Sequence, residues 1–206
     1  MSVGNVDTTG REGDAKRPIE LDTSFTLPHE RGGPRYLVIY EVDQLAALTS
    51  DAYLQRLNNP RAWTSKMMPH YRGMTRGLCS VSGSFGSGMG GVCVLFRFMP
   101  VQGSESSLRR WLCEDTLPGI PARPGLGSVH LLEGASTPVM TNEQRIRGAD
   151  AGIHWALLVT GYSGDALAQL NDAGSLNEQL SHHGAVDILD AQYQLAYSLA
   201  AHGIDT

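Results

Sequence analysis

The chain has 206 residues, 41% of them hydrophobic and 18% charged, with a formal net charge of -5. That length suits one medium domain or two small ones and is enough to bury a proper core. The acidic balance argues against nucleic acid as the main partner, because phosphate binding needs a basic face. No apolar stretch approaches the roughly 20 residues that span a bilayer, and the N-terminal segment has no apolar core of the kind that directs secretion. The expectation is a cytoplasmic protein with neither nucleic-acid nor membrane partners.

Residues 1–33 read as a polar, flexible N-terminal tail: MSVGNVDTTGREGDAKRP is Gly-rich and lacks periodicity. Within it, Ile19, Leu21, Phe25 and Leu27 offer alternating apolar contacts, so this part can lie across the domain. From Arg35 the chain then repeats one theme three times, an apolar strand, a helical stretch and a further strand. The opening strands are RYLVIYEV from Arg35, GVCVLFRF from Gly91 and IHWALLVTGY from Ile153.

In the first unit, Ser50 or Asp51 caps a helix over DAYLQRLNN, and Asn59 with Pro60 opens a second short helix that Pro69 ends. A strand from Gly73 to about Gly83 leads into SFGSGMGG. This loop lacks the Lys-Ser/Thr ending and the following helix of a phosphate cradle, so a β-hairpin connection is the expectation.

The second unit runs from Val92 through a helix around Leu108, Trp111 and Leu112 to the strand SVHLLEGA. A polar insertion over 136–152 follows, with a capping box at Thr141 and Gln144. The last unit ends in a long strand from Val186 to about Leu199, whose end can equally be read as a helix. The odd, widely spaced Cys79, Cys93 and Cys113 contain no C-x-x-C pair. They argue against a disulfide framework or a Cys-rich zinc site and read as small buried hydrophobes.

The first two units give β-α-β-β-α-β, the order of a ferredoxin-like module, over residues 35–135. Residues 136–206 add the insertion and a further β-α-β unit on the same domain. The fold class is therefore α+β, an antiparallel sheet with helices on one face. The open face carries the ionisable residues Tyr40 or Glu41, Arg97 and His130.

Two stretches offer candidate chemistry. WTSKMMPHYRG gathers Trp63, His70, Tyr71 and Arg72 between a helix and a strand, with His70 suited to proton transfer and Arg72 to an anionic group. His130 shares a strand face with Ser128 and Leu132 and can act as a general base. Glu41 and Arg97 are charges within apolar strands, which either meet each other or face a wet cavity. His70 and His130 are thus the catalytic candidates, with Tyr40, Glu41, Trp63, Tyr71, Arg72 and Arg97 as binding residues. No metal ligand set is assigned: His182 and His183 are adjacent and cannot share one face of a regular strand.

In element order and strand character, residues 35–135 resemble the dimeric α+β barrel superfamily, which includes EthD-like proteins, antibiotic-biosynthesis monooxygenases, muconolactone isomerases and haem enzymes. The resemblance implies a homodimer formed through the open sheet faces, with a small-molecule pocket between sheet and helices. It implies acid–base chemistry of isomerase, lyase or cofactor-independent oxygenase type on an aromatic, lactone or polyketide-like compound. A non-catalytic ligand-binding or assembly protein is the alternative. No cofactor is favoured, but haem is the further option, with His70, His130 or His154 as its axial ligand. No catalytic motif carries the resemblance, and the third unit can occupy the place of a second subunit.

Overall fold

The computed structural model describes residues 2–3, 21–26, 35–71, 73–135, 140–147, 151–171 and 175–200. In chain order the elements begin with β1 (Ser2–Val3), β2 (Leu21–Thr26) and β3 (Tyr36–Glu41). Helices α1 (Asp51–Asn58) and α2 (Ala62–Met67) lead to β4 (Gly77–Gly86) and β5 (Val92–Pro100). Then come α3 (Glu105–Arg110), β6 (Leu126–Gly134), α4 (Asn142–Arg147) and β7 (Trp155–Gly161). Helices α5 (Gly164–Ala168) and α6 (Leu176–His182) precede the long β8 (Ala185–Ala200). The strands form a closed barrel in the order β1-β3-β2-β8-β5-β7-β6-β4, and every ladder is antiparallel.

Side-chain alternation divides each strand between two apolar layers. On β5, Val94, Phe96 and Phe98 face outward and join Leu108, Leu112, Leu167 and Leu180 in a core that the helices cover. Cys93 and Leu95 face inward and meet Leu37, Ile39, Cys79, Leu132, Ala156, Leu158 and Tyr193, a cluster with no helical member. The second layer is the barrel interior. The α+β, antiparallel, ferredoxin-like reading therefore holds, with helices confined to the outer face of the sheet.

Local chemistry explains the helix boundaries. The Ser50 hydroxyl accepts the Tyr53 N–H at 3.4 Å, and the Asn59 N–H turns back to Gln55 and Arg56 to close α1. The box before α4 forms as its spacing requires: Thr141 N–H donates to Gln144 Oε1 at 2.8 Å, and Gln144 N–H returns to Thr141 Oγ1 at 3.4 Å. The second short helix starts later than expected, at Ala62, with Arg61 rather than Asn59 at its cap. Helix α3 continues as a π-helical turn, Trp111–Thr116, whose Trp111 ring stacks on His183 with centroids 3.9 Å apart. Arg109 on α3 grips Glu133 on β6 through two 2.6 Å hydrogen bonds, fixing the helix to the outer side of the strand. The end of the chain's last described element is strand rather than helix, through Ala200.

Three expectations need correction. Within the supposed tail, Ser2–Val3 and Leu21–Thr26 are barrel strands, the second paired with both β3 and β8 along its length. The Gly-rich loop is not a hairpin: β4 pairs with β1 and β6, and β5 with β7 and β8. Consequently the ferredoxin-like strand order belongs to 92–200, where β8-β5-β7-β6 is the fourth, first, third and second strand of one β-α-β-β-α-β run, and not to 35–135. The sheet face expected to stay open is closed by the chain's own N-terminal strands and β4. Among the described residues no helix is long and apolar enough to cross a membrane.

The loop between β4 and β5 depends on glycine at particular points. Gly88 and Gly90 have φ of +84° and +66°, and a Cβ on Gly90 would collide with the backbone of Gly161. Gly90→Ala should therefore destabilise the protein by about 1–3 kcal/mol, measured by urea unfolding, with no change in strand content by circular dichroism at low denaturant.

Candidate active site in the barrel interior

The inner face of β6 presents Ser128, His130 and Leu132 in alternation, with Leu132 in the interior cluster. Opposite His130 on β4 is its register partner Ser84, an exposed residue. The Ser84 hydroxyl lies 2.9 Å from His130 Nδ1, and Ser128 Oγ lies 3.1 Å from Nε2. Ser128 and Thr160 are buried, 2.9 Å apart through their hydroxyls. Both approach the carbonyl of Gly88, Ser128 at 3.0 Å and Thr160 at 3.3 Å. The Gly-rich loop thus crosses one end of the barrel, where Met89 also packs on the interior cluster.

One arrangement of the hydrogens gives every one of these contacts except Thr160 to Gly88 a donor and an acceptor. A carbonyl only accepts, so Ser128 gives its one hydroxyl hydrogen to Gly88 over the shorter contact. Thr160 then donates to Ser128 Oγ while its own oxygen accepts the Ser128 N–H at 3.1 Å. In this arrangement Ser128 accepts from the imidazole, with the proton on Nε2. Nδ1 of the neutral ring is left as the acceptor for Ser84 O–H. Burial holds the imidazole below its ordinary value of 6.5, so the neutral ring dominates near pH 7. A basic nitrogen is thereby aimed, through Ser84, at the accessible side of the site.

Arg97 projects from β5 on the same inward face as Cys93 and Leu95. Its charge reaches Tyr193 on β8. Among the described residues Arg97 has no hydrogen bond or ion pair, so of the two outcomes open to Arg97 and Glu41 it takes the unpaired one. Glu41 lies at the end of β3, with a partner of its own. Tyr40 is buried but points to the outer side, opposite Ile39. Trp63 (42% exposed), His70 and half-buried Tyr71 lie on α2 and the turn that follows it, outside the interior cluster. Arg72 lies outside the described residues. The two catalytic candidates are therefore not brought together: His130 is in the barrel wall and His70 on the outer layer.

Sequence reasoning missed Ser84, Thr160 and Tyr193. The first two are common residue types in strands and form no motif. Tyr193 carries a signal only once β8 is known to pair with Cys93. Cys79 and Cys93 are fully buried in the interior, as their strand positions suggested. Burial pushes the Cys79 thiol up to about 11 and Cys93 higher still, which leaves both unreactive as nucleophiles.

The three histidines named as axial candidates for haem are not gathered with an open ring nitrogen in the interior. Both ring nitrogens of His130 are engaged in hydrogen bonds, and His70 and His154 are exposed residues outside the interior cluster. Among the described residues no three His, Cys, Asp or Glu side chains gather into a group that could hold a metal ion.

No protein-family model matches this sequence, and no curated protein matches it. Solved structures do share its fold. An anthrone oxidase-like protein superposes with a TM-score of 0.60 at 12% identity, over 90% of this chain and 80% of that one. A candidate monooxygenase of Fusobacterium nucleatum subsp. nucleatum gives 0.53 at 11% identity, over 93% and 82% of the two chains. A candidate monooxygenase of Lactobacillus acidophilus gives 0.53 at 8% identity, over 89% and 80%. At such identities the likeness is one of fold alone.

The buried imidazole makes stability depend on pH. Because its folded pKa lies below 6.5, the unfolded chain takes up the proton first as pH falls. The contribution of His130 is thus complete above about pH 6.5 and is lost as pH drops toward the folded value, with a slope of at most about 1.4 kcal/mol per pH unit. Urea unfolding between about pH 7.5 and pH 5.5 should show a shallower decline for His130→Gln than for the natural sequence.

Proposed function

We propose that this chain is a small-molecule enzyme whose reaction takes place inside the barrel, with His130 as general base acting through Ser84 on an acidic C–H or phenolic proton. The single observation that carries this reading is the neutral His130 ring, held with Nε2 on Ser128 and Nδ1 on the accessible Ser84 hydroxyl. As substrate approaches, its proton passes to Ser84 Oγ while the Ser84 hydrogen moves to Nδ1. Nε2–H stays on Ser128, so the imidazolium that forms keeps both hydrogen bonds and lies beside the new anion.

An interior lined by Leu37, Ile39, Leu95, Leu132 and Leu158 favours an apolar ligand, in keeping with an aromatic, lactone or polyketide-like compound. The same proton abstraction begins isomerase, lyase and cofactor-independent oxygenase chemistry. The names of the structural neighbours, anthrone oxidase-like and monooxygenase, favour the oxygenase type. This reading gives the chemistry to His130 rather than His70, needs no haem, and is complete within one chain without the homodimer.

The test is turnover of a panel of anthrones, phenols and lactones, followed by absorbance. On an active compound, His130→Gln should lower kcat about 10²–10⁴-fold and Ser84→Ala at least about tenfold, both with unchanged circular dichroism. Undiminished turnover in His130→Gln would refute the base assignment. Ligand binding without turnover by any panel member would make the chain a binding protein instead.

A further inference from the structure

The barrel interior contains a second polar feature that proton transfer leaves unused. Arg97 lies on the inner face of β5, and Tyr193 on β8 is the register partner of Cys93 on the same strand. Tyr193 is 3% exposed, and among the described residues its hydroxyl has no hydrogen-bond partner. Nor does the Arg97 guanidinium have a carboxylate or other hydrogen-bond partner among them. Neither the half-buried cation nor the phenol has an acceptor among the described residues, and the Tyr193 ring packs with the Leu95, Leu132 and Leu158 cluster. A ligand that brings a negative oxygen gives both groups an acceptor.

The ladders also fix where these groups stand. Arg97, Ala156, Leu132 and Val81 are register partners across four strands, and Leu189 is the partner of Arg97 on its other side. Val81 is 43% exposed and Leu189 59%, so this row meets solvent at those two strands, while Leu132 and Ala156 in the same row are fully buried. One step deeper lies the row of His130, Leu158 and Leu95. Tyr193 lies one step beyond that, toward the end crossed by the Gly-rich loop.

We infer that Arg97 and Tyr193 form a seat for an anionic oxygen, a carboxylate or phenolate on an apolar aromatic body that enters past Leu189 and Val81. This deepens the preceding proposal: it rests on a ligand inside the barrel, but not on His130 moving a proton. Arg97 supplies charge and a forked donor, and Tyr193 a single O–H. Burial raises the Tyr193 phenol, with Arg97 pulling the other way, and the net rise keeps it protonated and able to donate near neutral pH. For a phenol or enol substrate, the seat would hold the charge that deprotonation creates.

Calorimetric titration of the full chain tests this with 2-naphthoate and its neutral counterpart 2-naphthalenemethanol. The expected result is a preference for the carboxylate of at least about tenfold, lost in Arg97→Met, partly kept in Arg97→Lys and reduced in Tyr193→Phe. Because Tyr193→Phe removes one oxygen, it keeps the test open if Arg97→Met does not fold. A second probe, 4-nitrophenol, separates the two sources of charge: ionisation on binding, seen as phenolate absorbance below its free pKa, supports a phenolate ligand. Carboxylate preference without that shift supports a carboxylate. Equal binding of the two naphthalenes, no binding of any of the three probes, or an unchanged preference in Arg97→Met would overturn the seat. Since all these readouts are binding, their failure is distinct from that of the His130 mechanism, which is read in turnover.

Discussion

A β-strand has two hydrogen-bonding edges, and the use β4 makes of them governs the architecture. Its sequence neighbour β5 is only a short Gly-rich loop away, yet β4 is bonded to β6, while β5 is enclosed by β7 and β8. Backbone groups left without partners in an apolar setting are expensive, so each such choice constrains the next. With β6 taken by β4 and β7, the N-terminal strands join β8 at one side and β4 at the other, and the sheet closes. The loop must then run across the end of the barrel, where the Gly88 carbonyl finds Ser128 and Thr160. The same ladder sets Ser84 against His130.

Strand β6 shows how one element serves two purposes. Its outer face holds Val129 and Leu131 in the helix-covered core, and Glu133 in the clasp with Arg109. Burial alone would raise the Glu133 carboxyl, but the hydrogen bonds from Arg109 and Ser82 together with the arginine's charge bring it below its usual value. Arg109 also lies over the Trp155 ring, 5.4 Å from its centroid, so the clasp spans α3, β6 and β7. The inner face of the strand is thereby held in a fixed register. Rigidity of this kind matters for a relay, because a hydrogen bond tolerates little displacement before its angle fails.

Much of the fold was legible because it depends on local pattern. Near-continuous apolar runs marked β3, β5 and β7, and the Ser50 cap and the Thr141–Gln144 box marked two helix starts. Pairing was not legible, since it is decided by contacts between distant segments, and a Gly-rich connection of the observed length suits a hairpin as well as a crossing loop. That missed pairing also displaced the module from 92–200 to 35–135. For the site, the alternation Ser128–His130–Leu132 grouped three inward side chains on one face. The richer cluster from Trp63 to Gly73 drew attention for its residue types alone, and composition carries no information about which side of a sheet a loop joins. Ser84 and Tyr193 became visible only as cross-strand partners.

Closure by one chain also has an implication for how such an interior can be furnished. When two identical subunits complete a barrel around a twofold axis, every inward residue occurs twice, and an arrangement suited to one orientation of a guest is repeated for the reverse orientation. Here the wall is built from unlike halves, so an imidazole on β6 has no enforced duplicate across the lumen. A guest with distinct ends can consequently be read in a single direction, and each half is free to diverge without its change being copied into the other.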